Sequence, residues 1–447
     1  MKTNWKDKPI QQQPQWDDLE QFELIINQLH QYPNLVSVNE IIELKNNLSD
    51  AAQGNGFIIQ GGDCAETFID FNTSSIKNKI KVLLQMSAII QYITKINVTK
   101  IGRIAGQFFK PRTNDFELRS KIKLPSYRGD AINSINFNEE DRKPNPKRLL
   151  QAYHQSAATM NLIRNLTMRG FTNFQNIHSW ELSDFQKSQY FQKYNVIANQ
   201  IKDILKFTKH SNISLSTSLS STVFNTVYSS HEALLLEYEN TFIHQQKNKF
   251  YNCSAHMLWV GDRTRDINSA HIDFVSQLEN PIGIKIGPEI NIDDIVTLCK
   301  KINPSNIHGK ISFIVRLGIN YIDELLPLII TKVKENDLNV LWLCDPMHGN
   351  TIMTKKGYKT RNFDTIKQEI ESFFNIHHHY KTIPGGLHFE LTGDNVTECI
   401  GGINNIKDGD LEQYYQTACD PRLNHEQSLE MGFLIAELLE KRRKYSE

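Results

Sequence analysis

Phe57-Ile58-Ile59-Gln60-Gly61-Gly62-Asp63-Cys64-Ala65-Glu66-Thr67 is an apolar run that breaks into a polar, Gly-containing turn carrying a cysteine. The same change recurs far downstream in Asp345-Pro346-Met347-His348-Gly349-Asn350-Thr351 and in Gly385-Gly386-Leu387-His388-Phe389-Glu390-Leu391-Thr392-Gly393. Each of the three puts a potential metal ligand where a buried strand runs out, and Thr417-Ala418-Cys419-Asp420-Pro421-Arg422 adds a further carboxylate. Strand ends that bring distant residues to one face are how a (β/α)8 barrel builds an active site.

Apolar, β-rich runs recur near 57–62, 100–106, 221–228, 256–261, 282–287, 311–316, 340–345 and 386–391, most of them separated by helix-like segments. Strands alternating with helices imply parallel pairing, and eight of them favour a closed (β/α)8 TIM barrel over an open doubly wound sheet. Residues 1–50 read as an N-terminal extension and 51–447 as the barrel. The interval 145–220 carries helical periodicity well beyond one crossover helix, which predicts a helical insertion.

Fifty basic side chains balance fifty acidic ones, so no global field draws in nucleic acid or an anionic membrane, and an anionic ligand must be held by local basic residues. No apolar stretch approaches the roughly 18–20 residues that span a bilayer, and the polar opening has no signal-peptide core, which predicts a cytoplasmic protein. Six cysteines are dispersed without CxxC spacing, as suits reduced, mostly buried thiols.

Metal ligation needs a thiolate, an imidazole or carboxylates converging from different places with one position left open, and Cys64, His348, Glu390 and Asp420 supply such a set. Basic residues share the strand-end habit: Arg103, Lys110 and Arg112, Arg263 and Arg265, Lys285 inside Gly283-Ile284-Lys285-Ile286-Gly287, and Arg316 at the end of Phe313-Ile314-Val315-Arg316. A charge in an apolar strand is costly unless paired. One such residue is explained equally well by a structural ion pair; several at one barrel end point to a polyanionic substrate, which Arg grips with two parallel hydrogen bonds and Lys as a point charge. Other features take a plainer reading. His377-His378-His379 reads as a solvated helix end, and Tyr153, Leu162, Ile163 and Leu166 as core-facing.

From about residue 50 to 435 the chain resembles class II 3-deoxy-D-arabino-heptulosonate 7-phosphate (DAHP) synthase. The resemblance is carried by Gln60-Gly61-Gly62-Asp63-Cys64-Ala65-Glu66-Thr67-Phe68, Ser126-Tyr127-Arg128-Gly129-Asp130, Cys344-Asp345-Pro346-Met347-His348-Gly349-Asn350-Thr351, Asp394-Asn395-Val396-Thr397-Glu398-Cys399 and Thr417-Ala418-Cys419-Asp420-Pro421-Arg422-Leu423-Asn424. It implies condensation of phosphoenolpyruvate with erythrose 4-phosphate at the head of the shikimate pathway, with a divalent metal such as manganese or cobalt. By similarity the metal ligands fall on Cys64, His348, Glu390 and Asp420. The phosphoenolpyruvate site falls on Arg103, Lys110, Asp262, Arg263, Lys285 and Arg316, and the aldose phosphate site on Arg112 and Thr113. Lys285, Arg263, Arg316 and His348 would carry the chemistry. The resemblance also implies a homodimer or homotetramer, inhibition by aromatic amino acids, and association with chorismate mutase.

Two positions depart from the family pattern. Where a glutamate is expected in Glu-Ile-Tyr the chain has Thr226-Val227-Tyr228, and Gly-Glu-Arg-Thr-Arg appears as Gly261-Asp262-Arg263-Thr264-Arg265. A hydroxyl cannot replace the acid–base function of a carboxylate. The departures leave three outcomes: the ordinary reaction with a rearranged water site, a modified aldose phosphate of the amino-DAHP type, or a catalytically impaired regulatory or scaffold homologue.

Overall fold

The computed structural model describes residues 4–119, 121–168, 192, 193, 196 and 226–446. Eight parallel strands close into a barrel in chain order: β1 (Gly56–Gly62), β2 (Asn97–Arg103), β3 (Val227–Glu232), β4 (Met257–Val260), β5 (Ile282–Ile286), β6 (Ile311–Val315), β7 (Leu341–Cys344) and β8 (Pro384–Glu390). β8 closes on β1 with His388 opposite Gln60 and Glu390 opposite Gly62.

Successive strand residues face opposite sides, so each strand contributes every second residue to the interior. Near the N-terminal ends these inward residues are apolar: Ile58, Ile101, Tyr228, Met257, Ile314, Leu341 and Leu343 form one buried cluster. Two residues further along they become Gln60, Arg103, Ser230, Lys285, Asp345 and His388, then Glu232 and Glu390. The chemistry is therefore confined to the C-terminal end.

Helices α1 (Leu19–Leu29) and α2 (Val38–Ala52) precede the barrel; α3 (Thr73–Thr94), α4 (Lys147–Met168), α5 (Ala270–Ser276), α6 (Asp294–Ile302), α7 (Ile322–Glu335), α8 (Phe363–His379) and α9 (His425–Ser446) follow strands. α2 starts on a capping box, with Ser37 and Glu40 each satisfying the other's backbone N–H. Its Leu44, Leu48 and Ala51 are fully buried against the inner apolar cluster, so α2 seals the N-terminal end of the barrel. Two hairpins, Phe116–Arg119 with Ile122–Pro125 and Thr351–Met353 with Lys359–Arg361, stand at the opposite end.

Seven of the expected strands coincide with observed ones to within a few residues. The third does not: the expected run 221–228 begins outside the described residues, and β3 extends to Glu232. Its Ser229-Ser230-His231-Glu232 stretch is polar because it is buried against polar neighbours. Within the expected insertion at 145–220, residues 147–168 are helical as α4, and apart from 192, 193 and 196 the rest lies outside the described residues. His377 overturns its reading as solvated. It is fully buried at the end of α8, with Nδ1 2.6 Å from Thr382 Oγ1 and its ring against Trp342 and Phe373. Among the described residues no helix is long and apolar enough to cross a membrane.

Candidate active site

At the C-terminal end of the barrel lies a cavity of about 630 Å³. Eleven of the twelve site residues expected from the sequence line it: Cys64, Arg103, Lys110, Arg112, Thr113, Asp262, Arg263, Lys285, Arg316, His348 and Asp420. The twelfth, Glu390, is fully buried beside His348.

Four of these residues form a donor cluster. Cys64 follows β1, Glu390 ends β8, His348 opens the turn after β7, and Asp420 comes from the loop before α9; their ligand atoms all lie within 4.8 Å of one another. Gly62, at φ +148°, lets β1 turn close to β2, since a Cβ there would sit 2.7 Å from the Arg103 carbonyl oxygen. Asp345 Oδ2 lies 2.7 Å from His348 Nδ1 and fixes the ring so that Nε2 reaches Glu390 Oε1 at 3.0 Å. The loop bearing Asp420 is held by Arg422, paired with Glu398 and Asp63, while the buried Arg361 bonds the Pro421 carbonyl and lies 2.8 Å from Glu390 Oε2.

The cluster is strongly anionic and draws in cations from the protein itself. Lys110 Nζ lies 2.6 Å from Cys64 Sγ and 2.5 Å from Asp420 Oδ2, and Lys359 Nζ lies 2.9 Å from Asp420 Oδ1. Burial opposes the charge on His348, but Asp345 and Glu390 outweigh it and hold the imidazole up at about 9. Burial alone would raise the Glu390 and Asp420 carboxyls; His348 and Arg361 hold the first, and Lys110 and Arg361 the second, well below the usual range. Burial, with Cys419 beside it, pushes the Cys64 thiol up. A sulfur, an imidazole and two carboxylates converging on one point fit a divalent transition metal ion.

Across the cavity the cations are spaced by fixed partners. Arg103 donates to the carbonyl oxygens of Asp63 (2.8 Å) and Cys64 (3.0 Å), to Glu390 (3.2 Å) and to His388 Nε2 (2.6 Å). Lys285 Nζ meets Asp345 Oδ2 at 2.5 Å and His388 Nε2 at 2.8 Å; burial pushes its ammonium down to about 8, against the pull of Asp345. Asp262 bridges Arg316 (2.8 Å) and Arg265 (2.9 Å), so the shorter side chain still reaches both arginines. Arg263 donates to Thr113 Oγ1 at 2.7 Å, and among the described residues no carboxylate oxygen lies within 4.0 Å of its nitrogens. Arg112 pairs with Glu117 at 3.0 Å, and its backbone N–H donates to Gln12 Oε1 at 2.7 Å, so the N-terminal segment ties down the loop after β2.

Glu232 is a carboxylate that the sequence did not mark. It ends β3, lines the cavity and is buried; burial raises its pKa against the pull of Lys285, Lys110 and Arg103, and among the described residues its Oε1 has no hydrogen-bond partner. Thr226, where a site carboxylate was expected, immediately precedes β3 at the opposite end of the barrel. The signal was present in Ser230-His231-Glu232-Ala233-Leu234: a polar string continuing a β-rich run is what an inward-facing site strand looks like. Asp345 and His388, buried behind the ligands and cations, were also missed, and each lies in a quoted strand-end motif.

The profile of the Class-II DAHP synthetase family matches residues 1–436. The chain is 42% identical over 440 residues to the phospho-2-dehydro-3-deoxyheptonate aldolase of Streptomyces coelicolor, covering 98% of this chain and 96% of that protein. It is 41% identical over 439 residues to the phospho-2-dehydro-3-deoxyheptonate aldolase AroG of Mycolicibacterium smegmatis, covering 97% and 93% respectively. With its barrel, its donor cluster and a match along almost its whole length, the chain belongs to the class-II DAHP synthetase family.

Proposed function

We propose that this enzyme condenses phosphoenolpyruvate with D-erythrose 4-phosphate and water to give DAHP and phosphate, the first step of the shikimate pathway. The observation that carries the proposal is the meeting of a four-residue metal donor set and a crowd of cations on one cavity, in a chain that matches the family from end to end. Cys64, His348, Glu390 and Asp420 would hold the ion, manganese or cobalt by resemblance. When bound, a divalent ion supplies Lewis-acid polarisation of the aldehyde carbonyl.

The chain's own residues supply the rest. Arg103, Lys110, Arg263, Lys285 and Arg316 hold the carboxylate and phosphate of phosphoenolpyruvate, and Arg112 with Thr113 holds the aldose phosphate, so that carbon 3 of the enol faces the aldehyde carbon. As that bond forms, positive charge develops at carbon 2, and water adds there. Glu232, a buried carboxylate with one free oxygen, orients that water and takes up its proton, while Lys285, poised near 8, is the second proton carrier. The fixed cations stabilise the departing phosphate.

With Glu232 in the cavity and Asp262 still bridging two arginines, the departures at 226 and 262 give no support to a modified aldose or to a non-catalytic homologue. The test is phosphate release by manganese-loaded protein given phosphoenolpyruvate with erythrose 4-phosphate, beside reactions with other phosphorylated aldoses. Release with erythrose 4-phosphate is expected; release only with another aldose, or none at all, would overturn the assignment. A cytoplasmic setting is supported by six free thiols. Light scattering, alone and after mixing with chorismate mutase, tests the homodimer or homotetramer and the partner implied by resemblance.

A further inference from the structure

His388 belongs to neither the metal donors nor the substrate cations, yet it is fully buried between them. Its Nε2 faces two cationic donors, Arg103 Nη1 at 2.6 Å and Lys285 Nζ at 2.8 Å. The guanidinium and, with Lys285 protonated, the ammonium have no lone pair to offer, so Nε2 is the acceptor and the ring proton sits on Nδ1. Nδ1 lies 2.8 Å from Gln60 Oε1 and donates to it; Gln60 Nε2 donates to Ser230 Oγ at 2.9 Å, and the Ser230 hydroxyl donates to the Gly102 carbonyl oxygen at 3.0 Å. Every link has one polarity, and the chain ends on the main chain of β2. Trp259 closes the layer, edge-on to His388 at 5.6 Å and with Arg103 and Lys285 at 5.3 and 5.9 Å from its ring.

Two positive groups sharing one acceptor atom lie within the span of two hydrogen bonds, where their mutual repulsion in a buried site is strong. An apolar ring in place of the imidazole would let them part. We propose that His388 is a positioning residue, a neutral acceptor held in one tautomer by Gln60 and Ser230, which sets the separation of Arg103 and Lys285 for a single compact polyanion of the enol phosphate class. The inference rests on the assignment of those two cations to the phosphoenolpyruvate site.

The experiment compares manganese-loaded wild type with His388→Phe, His388→Gln and Gln60→Met. It measures KM for phosphoenolpyruvate, KM for erythrose 4-phosphate, bound manganese, and direct binding of phosphoenolpyruvate by calorimetry. His388→Phe should raise KM for phosphoenolpyruvate roughly tenfold or more, as expected for losing an acceptor shared by two charged donors. KM for the aldose and the metal content should stay within about twofold, because no aldose or metal contact is removed. His388→Gln, which keeps an oxygen acceptor near the position of Nε2, should recover most of the loss. Gln60→Met removes the acceptor that anchors Nδ1–H, so the ring can turn out of line with the two cations, and it should raise the same KM several-fold; should His388→Phe fail to fold, this variant carries the test. Unchanged KM for phosphoenolpyruvate in Gln60→Met or in folded His388→Phe would overturn the inference, as would equal impairment by Phe and Gln. Wild type that binds no phosphoenolpyruvate would overturn the site assignment, and the inference with it.

Discussion

Cys64 is the residue on which the metal assignment turns, because a neutral hydroxyl is a much poorer ligand than an anionic thiolate for a divalent transition metal ion. Cys64→Ser should lose manganese or cobalt on dialysis and release phosphate at least about a hundredfold more slowly. Unchanged metal content and turnover would show that the sulfur is only packing. Lys285 gives a second outcome at this scale. Burial lowers its pKa to about 8, so the ammonium that grips phosphoenolpyruvate is present below that pH and is lost as pH rises through it. The kcat/KM for phosphoenolpyruvate should therefore fall on the alkaline side of about 8, and Lys285→Arg, which keeps its charge, should lose that limb even if its overall rate is lower. A limb that survives the substitution belongs to another group. Both residues were legible because each breaks an apolar run. Glu232 was not, since the run it ends is itself polar; the family pattern marks position 226 instead, and Thr226 lies six residues away, just before the far end of β3.

At the scale of elements, strands that bury both faces in apolar surroundings announced themselves, while β3, whose inward residues Ser230 and Glu232 serve the network and the cavity, did not. The role of α2 was equally hidden. Its periodicity says that one stripe is buried, but only the fold says that the stripe closes the end of a barrel formed by residues far along the chain. The segment before α1 is a related case. Trp5 is buried with its ring edge-on to Phe274 of α5, Ala270 N–H donates to the Pro9 carbonyl oxygen, and Gln13 Nε2 donates to the Leu234 carbonyl oxygen, so the segment lies on α5 and on the loop after β3, and between these contacts Gln12 reaches Arg112. Gln12, which makes that contact through its side chain, has a left-handed backbone (φ 62°). Gln12→Ala removes the hydrogen bond from the Arg112 backbone N–H, worth about 1 kcal/mol, together with a long one from Arg128 Nη1 at 3.5 Å, and should raise KM for the aldose phosphate about fivefold while leaving that for phosphoenolpyruvate nearly unchanged. Equal effects on both substrates would mean that the segment supports the barrel end generally rather than the Arg112 loop.

Over the whole molecule, acidic and basic residues cancel, yet eight lysines and arginines face four carboxylates around the cavity, so anion binding comes from where the charges are placed and not from their sum. The packing that places them also buries neutral imidazoles. Burial pushes His271 and His425 down to about 4 and His377 to about 3, far below the ordinary histidine value. With each folded pKa lowered, the unfolded chain takes up the proton first as pH falls. The stability these groups permit is intact above about 6.5 and is lost progressively from there down to their folded values. A proton bound by the unfolded chain alone costs about 1.4 kcal/mol for every pH unit of acidification, so these three sites together should cost several kcal/mol by about pH 4. The Tm should therefore drop steeply between about pH 6.5 and 4. His377→Phe is the discriminating variant, since a phenyl ring can occupy the space between Trp342 and Phe373 without titrating. It gives up the contact with Thr382, so its Tm at pH 7 should be slightly lower than wild type, but its Tm should fall less on acidification. Parallel Tm curves for the two proteins across that range would show that His377 is already charged, or already exposed to water, in the folded state.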